Sequence, residues 1–177
     1  MEISLRPMRM SDVPILSEID HSFHTDHVWQ MDLETSEEQV TVGFRRIRLP
    51  RSMKVEYPRQ PVVLAEKPLE KAVIFVAEIE GEPAGYLAVS TGGPPGISQV
   101  IDWAVFRRLR KNGVGTSLVG AALKWNYEHQ AGQLILEMQS KNYPAISLAN
   151  KLGFEFCGYS DRYYPNQDIA LFFAKRR

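Results

Sequence analysis

Cysteine is nearly absent from this 177-residue chain: Cys157 stands alone. No internal disulfide can form, and a reducing, cytoplasmic setting is expected. Surplus charge is absent as well. Lys and Arg number 21, Asp and Glu also 21, whereas nucleic-acid binders carry excess base, so nucleic acid is not an expected partner. Apolar runs such as Ala72–Ala77 and Ile169–Ala174 are six residues long, against the roughly 18 that a membrane span requires. The first residues, Met1–Arg6, lack the basic-then-apolar order of a secretory signal. There is no repeat and no low-complexity tract. What remains is ordinary globular composition, 44% hydrophobic and 24% charged, at a length that suits one domain over residues 1–177.

The first half of the chain reads unevenly. Ile3–Pro7 alternates as a strand does, and Ser11-Asp12-Val13-Pro14 then opens a helix with Ser11 as its cap and Ile15, Leu16 and Ile19 on its buried face. Val40, Val42, Phe44, Ile47 and Leu49 suggest strand, whereas the histidine-bearing segment before them reads as a helix end running into a loop. Past the proline-bearing stretch 58–68, Val73–Ile79, a Gly81-Glu82-Pro83 turn and Ala84–Val89 form a hairpin, followed by a strand at Ser98–Val105. From there helix and strand alternate. An amphipathic helix carries Val114, Leu118, Ala121, Ala122 and Trp125, and a strand follows at Leu134–Gln139. Asn142 caps a short helix ending at Gly153, and Phe154–Tyr159 and Ile169–Lys175 are two last strands. This order predicts an α+β fold with a mixed sheet.

The sharpest chemical signal is the turn Arg110-Lys111-Asn112-Gly113-Val114-Gly115-Thr116 between the strand at Ser98–Val105 and the following helix. Glycines let a ligand approach the backbone closely, and the first N–H groups of a helix, with its positive dipole end, suit a phosphate or pyrophosphate. Packing alone would also explain such a turn. Two phosphate motifs do not fit. Leu118 stands where a dinucleotide fingerprint needs its third glycine, and Val114-Gly115-Thr116 lacks the lysine of a P-loop.

The spelling Arg-x-x-Gly-x-Gly does fit another pattern, and so does Asn142-Tyr143-Pro144-Ala145-Ile146-Ser147-Leu148-Ala149-Asn150-Lys151-Leu152-Gly153-Phe154. With these two segments the chain resembles the GNAT superfamily of acetyl-CoA-dependent N-acetyltransferases, in detail over 73–174. A lesser similarity, resting on Leu136-Glu137-Met138-Gln139, is to streptothricin-type antibiotic and ribosomal-protein alanine acetyltransferases. The resemblance implies three αβα layers, with a mixed, mostly antiparallel sheet whose central strands splay apart. It implies acetyl-CoA as co-substrate and no metal. Trp103, Ala104 and Val105 would lie along the pantetheine arm, a backbone N–H near Val105 would polarise the thioester carbonyl, Arg110, Lys111, Asn112, Gly113, Val114, Gly115 and Thr116 would hold the pyrophosphate, and Asn142 would bond the arm. The acceptor would be a small-molecule or peptide amine, attacking directly in a ternary complex. That attack needs a neutral amine, hence a base, and Glu137 and Asp102 each resemble the strand acid of one family branch. Ala149 departs from the family, which places a proton-donating Tyr there. Tyr143, Tyr163, Tyr164 or water are the substitutes, and an acyl-CoA-binding or regulatory domain on the same fold is the alternative reading.

Three weaker features remain. His21, His24 and His27, with Asp26 among them, have residue types that ligate zinc, but no second cluster supports them and no metal is expected. Arg45, Arg46, Arg48, Arg51, Lys54 and Arg59 form a basic run that reads as a solvated face, or as a homodimer or acidic-partner contact. Between Ser11 and Phe44 there is no Lys or Arg but eight acids. An acidic wall of that kind would steer a cationic amine inward.

Overall fold

In the structure, a computed structural model, residues 2–61, 72–90 and 92–177 are described; the part of the 58–68 stretch beyond residue 61 lies outside them. Strands β1 (Ile3–Pro7), β4 (Ala72–Ile79), β5 (Glu82–Ser90), β6 (Ile97–Val105), β7 (Gln133–Gln139), β9 (Ala170–Arg176) and β8 (Glu155–Ser160) lie in that order in one seven-stranded sheet. Neighbours run antiparallel except at the centre, where β6 and β7 are parallel because a helical crossover joins them. That crossover is α2 (Val114–Glu128).

Alternation along the strands builds a core on each face. Leu87, Val89, Val100, Leu134, Leu136 and Met138 meet α2 and α3 (Tyr143–Lys151) on one side. Tyr86, Ala88, Ile74 and Val76 meet Leu16 and Ile19 on the other, from α1 (Val13–Ser17) and the turn after it. The result is the expected layering of helix, mixed sheet and helix. Asn142 caps α3 as its spelling predicts, its side-chain oxygen accepting from Ala145 N at 3.2 Å.

Two local expectations need correction. Ser11 does not cap the first helix. A 3-10 turn at Met10–Asp12 precedes it, and Asp12 is the anchor. The Asp12 carboxylate accepts from Arg9 N at 2.7 Å and from the Arg6 guanidinium at 2.6 and 2.8 Å. That pairing holds it below the usual carboxylate range. Likewise, the histidine segment is a strand. β2 (Phe23–Thr35) pairs antiparallel with β3 (Val40–Val55) in a separate two-stranded ribbon. Both faces of the ribbon's outer part are exposed, so it carries little of the hydrophobic periodicity that marks a half-buried strand. It is fastened to the main body by Trp29 N donating to Ser140 O at 2.9 Å and by the Phe44 ring against Phe156 and Tyr159.

One glycine fixes how β5 meets β6. A Cβ on Gly85 would lie 2.5 Å from Ala104 O, a backbone atom that cannot swing aside. Gly85→Ala is therefore expected to destabilise the chain by about 1–3 kcal/mol, the usual cost of overpacking. An unchanged urea midpoint would show that the two backbones do not approach this closely.

Candidate active site

The site begins with an irregularity in β6. Val89 pairs with Val100 and Ala88 with Asp102, so Ile101 is an extra, bulged residue. Side chains alternate along a strand, and one inserted residue reverses the alternation beyond it. Val100 thus faces the α2 side, whereas Asp102 shares the opposite face with Ala88 and Tyr86. Gln99 and Glu137 occupy that same face, with Gln99 Nε2 donating to Glu137 Oε2 at 2.6 Å. The bulge brings the two candidate acids into one cleft.

Each buried carboxylate is held by groups of a different kind. Asp102 accepts from Tyr57 Oη at 2.7 Å and from Tyr86 Oη at 2.6 Å, and His21 Nε2 lies 3.9 Å away. Burial, and then the Asp102 charge, push both phenols well above the ordinary tyrosine value. Glu137 is ion-paired to Arg59, and Tyr163 Oη donates to it at 3.0 Å. The cleft is narrow, about 50 Å³, and is also lined by Phe23, Trp103, Asn142 and Tyr164.

Beside this cleft the central strands part. Parallel pairing joins Ile97–Val100 to Gln133–Leu136 and stops there, although β6 continues to Val105 and β7 to Gln139. The facing backbone of Trp103, Ala104 and Val105 therefore has no partner in β7. At the end of β6 the chain turns through Lys111 and Gly113, both with positive φ (65° and 86°), into α2. Lys111, Asn112, Gly113 and Thr116 are exposed around that helix start, with Val114 and Gly115 turned inward. A Cβ on Gly115 would meet Leu148 Cδ2 at 3.3 Å and the Trp103 ring at 3.9 Å, so this glycine also lets α2 pack closely on α3. The Trp103 ring lies among the core on the same side. An exposed helix start beside a strand edge that β7 leaves open fits a long ligand with an anionic and an amide-bearing part.

The Arg110 side chain is engaged elsewhere. Its guanidinium donates to Val105 O at 3.0 Å, to Ser22 O at 2.7 Å and to Asp20 O. Ala149 is fully buried in the core. Of the tyrosines considered as its substitute, Tyr164 lines the cleft and Tyr163 bonds Glu137, whereas Tyr143 packs at a tilt against His27 and accepts from Arg46. The three histidines do not converge. His21 points to Tyr86, His27 to Asp26, and among the described residues no three metal-capable side chains come together.

None of the eight acids of the window is among the residues that line this cleft. Asp12 is tied to Arg6, Asp20 accepts from Ser22 N, and Asp32 pairs with Arg45 across the ribbon. Among the described residues the acids that line the cleft are Asp102 and Glu137.

The profile of the acetyltransferase (GNAT) family matches residues 26–154. The chain belongs to this family. It is 33% identical over 115 residues to an N-alpha-acetyltransferase of Sulfurisphaera tokodaii, covering 59% of this chain and 69% of that one. Over 99% of both chains it superposes on nourseothricin acetyltransferase with a TM-score of 0.82 and 26% identity. It also shares its fold, at a TM-score of 0.80 and 20% identity, with a Bacillus anthracis protein crystallised with acetyl coenzyme A, covering all of this chain and 99% of that one.

In this acetyltransferase, sequence reasoning missed Tyr57, Tyr86, Gln99 and Arg59, the last read as part of a solvated basic face. Only the isolated position of Arg59 at the end of that run hints at a separate role. The buried phenols have a measurable consequence. Tyr57, Tyr86 and Tyr164 are all raised by burial, while an unfolded tyrosine loses its proton near pH ~10. Their contribution to stability is full below that pH and is lost as pH climbs above it. With three such groups the decline approaches about 4 kcal/mol per pH unit. Urea midpoints measured from pH 8 to about 11 are expected to hold steady and then fall steeply; a flat series would place these phenols in water.

Proposed function

We propose that this chain is a single acetyltransferase domain that moves an acetyl group from acetyl-CoA to a primary amine arriving as a cation, by direct attack in a ternary complex. The observation that carries the reading is the pair of buried carboxylates, Asp102 and Glu137, in one cleft against the gap between β6 and β7. An ammonium needs a counter-charge to enter and a base to become a nucleophile, and this cleft supplies both.

The side of Trp103, Ala104 and Val105 that β7 leaves open, the N–H groups of the turn through Thr116, and Asn142 are the groups that would hold acetyl-CoA, which supplies a thioester-activated acetyl. Lys111 adds positive charge near that turn, while Arg110 braces it. Direct attack is supported by Cys157, the only thiol. It sits exposed on edge strand β8 outside the cleft, with its proton held more tightly by partial desolvation.

Between the two acids the chemistry of their partners favours Asp102 for the proton. Phenols donate and accept, so a proton arriving at Asp102 can be accommodated by its neighbours. The Arg59 guanidinium does not give up its protons and keeps Glu137 as a fixed charge. Glu137 then binds the ammonium and Asp102 takes its proton. The archaeal N-alpha-acetyltransferase and nourseothricin acetyltransferase likenesses are compatible with a peptide or a small cationic amine as acceptor.

Thiol release across a panel of amines, at low and high salt, tests the reading. Cationic amines are expected to turn over best, at rates that fall with ionic strength. Asp102→Asn is expected to lower kcat/KM by about 100-fold or more, and Glu137→Gln to act mainly on KM. No thiol release with any amine would remove the proposal, and the reverse order of effects would make Glu137 the base. Lys111→Glu, at an exposed position, is expected to weaken acetyl-CoA binding about 10-fold, or roughly 1.4 kcal/mol, with most of the loss masked in high salt. Unchanged affinity by calorimetry would remove Lys111 from the cofactor site.

A further inference from the structure

A proton count around Asp102 goes beyond this reading, although it rests on Asp102 as the base. His21 Nδ1 lies 2.8 Å from Ile19 O and His21 Nε2 2.8 Å from Tyr86 Oη; Tyr86 Oη lies 2.6 Å from Asp102 Oδ2, and Tyr57 Oη 2.7 Å from Asp102 Oδ1. A carbonyl oxygen only accepts, so Nδ1 carries a hydrogen. Each of the other three contacts needs one hydrogen of its own. Four bonds therefore require four protons, whereas a neutral imidazole, two phenols and a carboxylate bring three. In the three-proton form Tyr86 can donate to His21 or to Asp102, but not to both.

We infer that His21, Tyr86 and Asp102 act as one proton acceptor, built to fit the state in which it has taken the proton of the acceptor amine. The step balances. R–NH3+ gives one proton to the cluster and becomes R–NH2. The amine lone pair attacks the thioester carbon, the C–S bond breaks, and the second amine proton leaves with the sulfur as the thiol. The cluster then returns its proton to solvent. While loaded, the proton sits either on His21 Nε2, with Tyr86 donating to Asp102, or on Asp102, with Tyr86 donating to His21.

The surroundings suit such a cluster. The His21 side chain is almost fully buried, its ring 4.9 Å from that of Tyr57. Its backbone is gripped on both sides, because Arg110 donates to Asp20 O and Ser22 O. Among the described residues the charged and titratable groups around it include Asp102 from β6, Tyr86 from β5, Tyr57 and Arg59 from the segment after β3, Arg110 from the turn, Asp20 beside it, and Glu137 and Tyr164 across the cleft. His21 is a positioning residue in this scheme: it acts on the amine through Tyr86 and Asp102.

Two measurements decide it. Neutron diffraction of the deuterated protein at a pH below and a pH above the rising limb of its rate profile is expected to show four deuterons in these bonds at the lower pH and three at the higher. An identical count at both would overturn the inference, and it requires no variant to fold. His21→Gln supplies the second measurement, because its amide can still donate to Tyr86 but cannot take up or release a proton. Its kcat is expected to fall at least about 10-fold, with KM changed far less and the pH limb displaced. Wild-type kcat and pH profile in this variant would mean that His21 only holds Tyr86 in place. If Asp102→Asn is inactive while His21→Gln behaves as wild type, this inference alone fails. If Asp102→Asn is fully active, the reading of Asp102 as base fails with it.

Discussion

The structure turns on what happens to β6 between Val100 and Asp102. Two events coincide there: an extra residue enters the strand opposite β5, and hydrogen bonding to β7 ends. Neither suffices alone. Without the bulge, strict alternation would put Asp102 on the α2 side with Val100, away from Glu137 and Tyr86. Without the parting of the strands, the edges of Trp103–Val105 and Glu137–Gln139 would satisfy each other and leave no gap for a substrate. Bulges bend strands and increase their twist, so the first event is a physical reason for the second. The close contact of Gly85 with Ala104 O holds β6 to β5 just past this point, so the divergence is taken up on the β7 side.

Placing two carboxylates beneath that gap requires a polar shell, because a buried charge without partners is far costlier than a buried hydrogen bond. Part of it comes from the sheet itself, through Tyr86 and Gln99, and loops supply more. The segment after β3 sends Tyr57 to Asp102 and Arg59 to Glu137. The loop between β8 and β9 sends Tyr163 to Glu137 and Tyr164 into the cleft. This second loop is itself pinned. The Asp168 carboxylate accepts from Lys141 at 2.5 Å, Gln139 at 2.8 Å and Asn166 at 3.0 Å, while its carbonyl accepts from Tyr163 N at 3.1 Å. The sheet thus carries the acids together with Tyr86 and Gln99, and tethered loops carry the other partners, a division that lets the loop residues around the cleft vary while the carboxylates stay in place.

The sequence made the second half of the chain legible and left much of the first half dark, for reasons that lie in packing. Elements with one buried face, such as α2 or β7, print their period in the residues. The ribbon β2–β3 is exposed on both sides over most of its length, so its polar first strand carries no such period. The bulge at Ile101 was equally invisible, since Ser98–Val105 alternates acceptably in either register. The two acids could be named because acids inside apolar strands are conspicuous. Their partners could not, because Tyr57 and Arg59 lie in a proline-bearing stretch, and His21 precedes a strand that the pattern did not reveal.

Charge was the least transferable part of the reading. An eight-acid window and a basic run look like two surfaces in one dimension, yet the hairpin folds one across the other, and the Asp32–Arg45 pair spans the ribbon. Arg110 carries the same lesson. Its place beside a glycine turn suggests a phosphate ligand, but its guanidinium is half-buried among carbonyls, where desolvation weakens its hold on the proton and hydrogen bonds keep it in place. Those carbonyls belong to Val105, at the end of the β6 edge that β7 leaves open, and to Asp20 and Ser22 on either side of His21. One side chain therefore joins the end of β6 to the backbone on either side of His21, so a shift of the turn would be felt at His21 and the groups it touches.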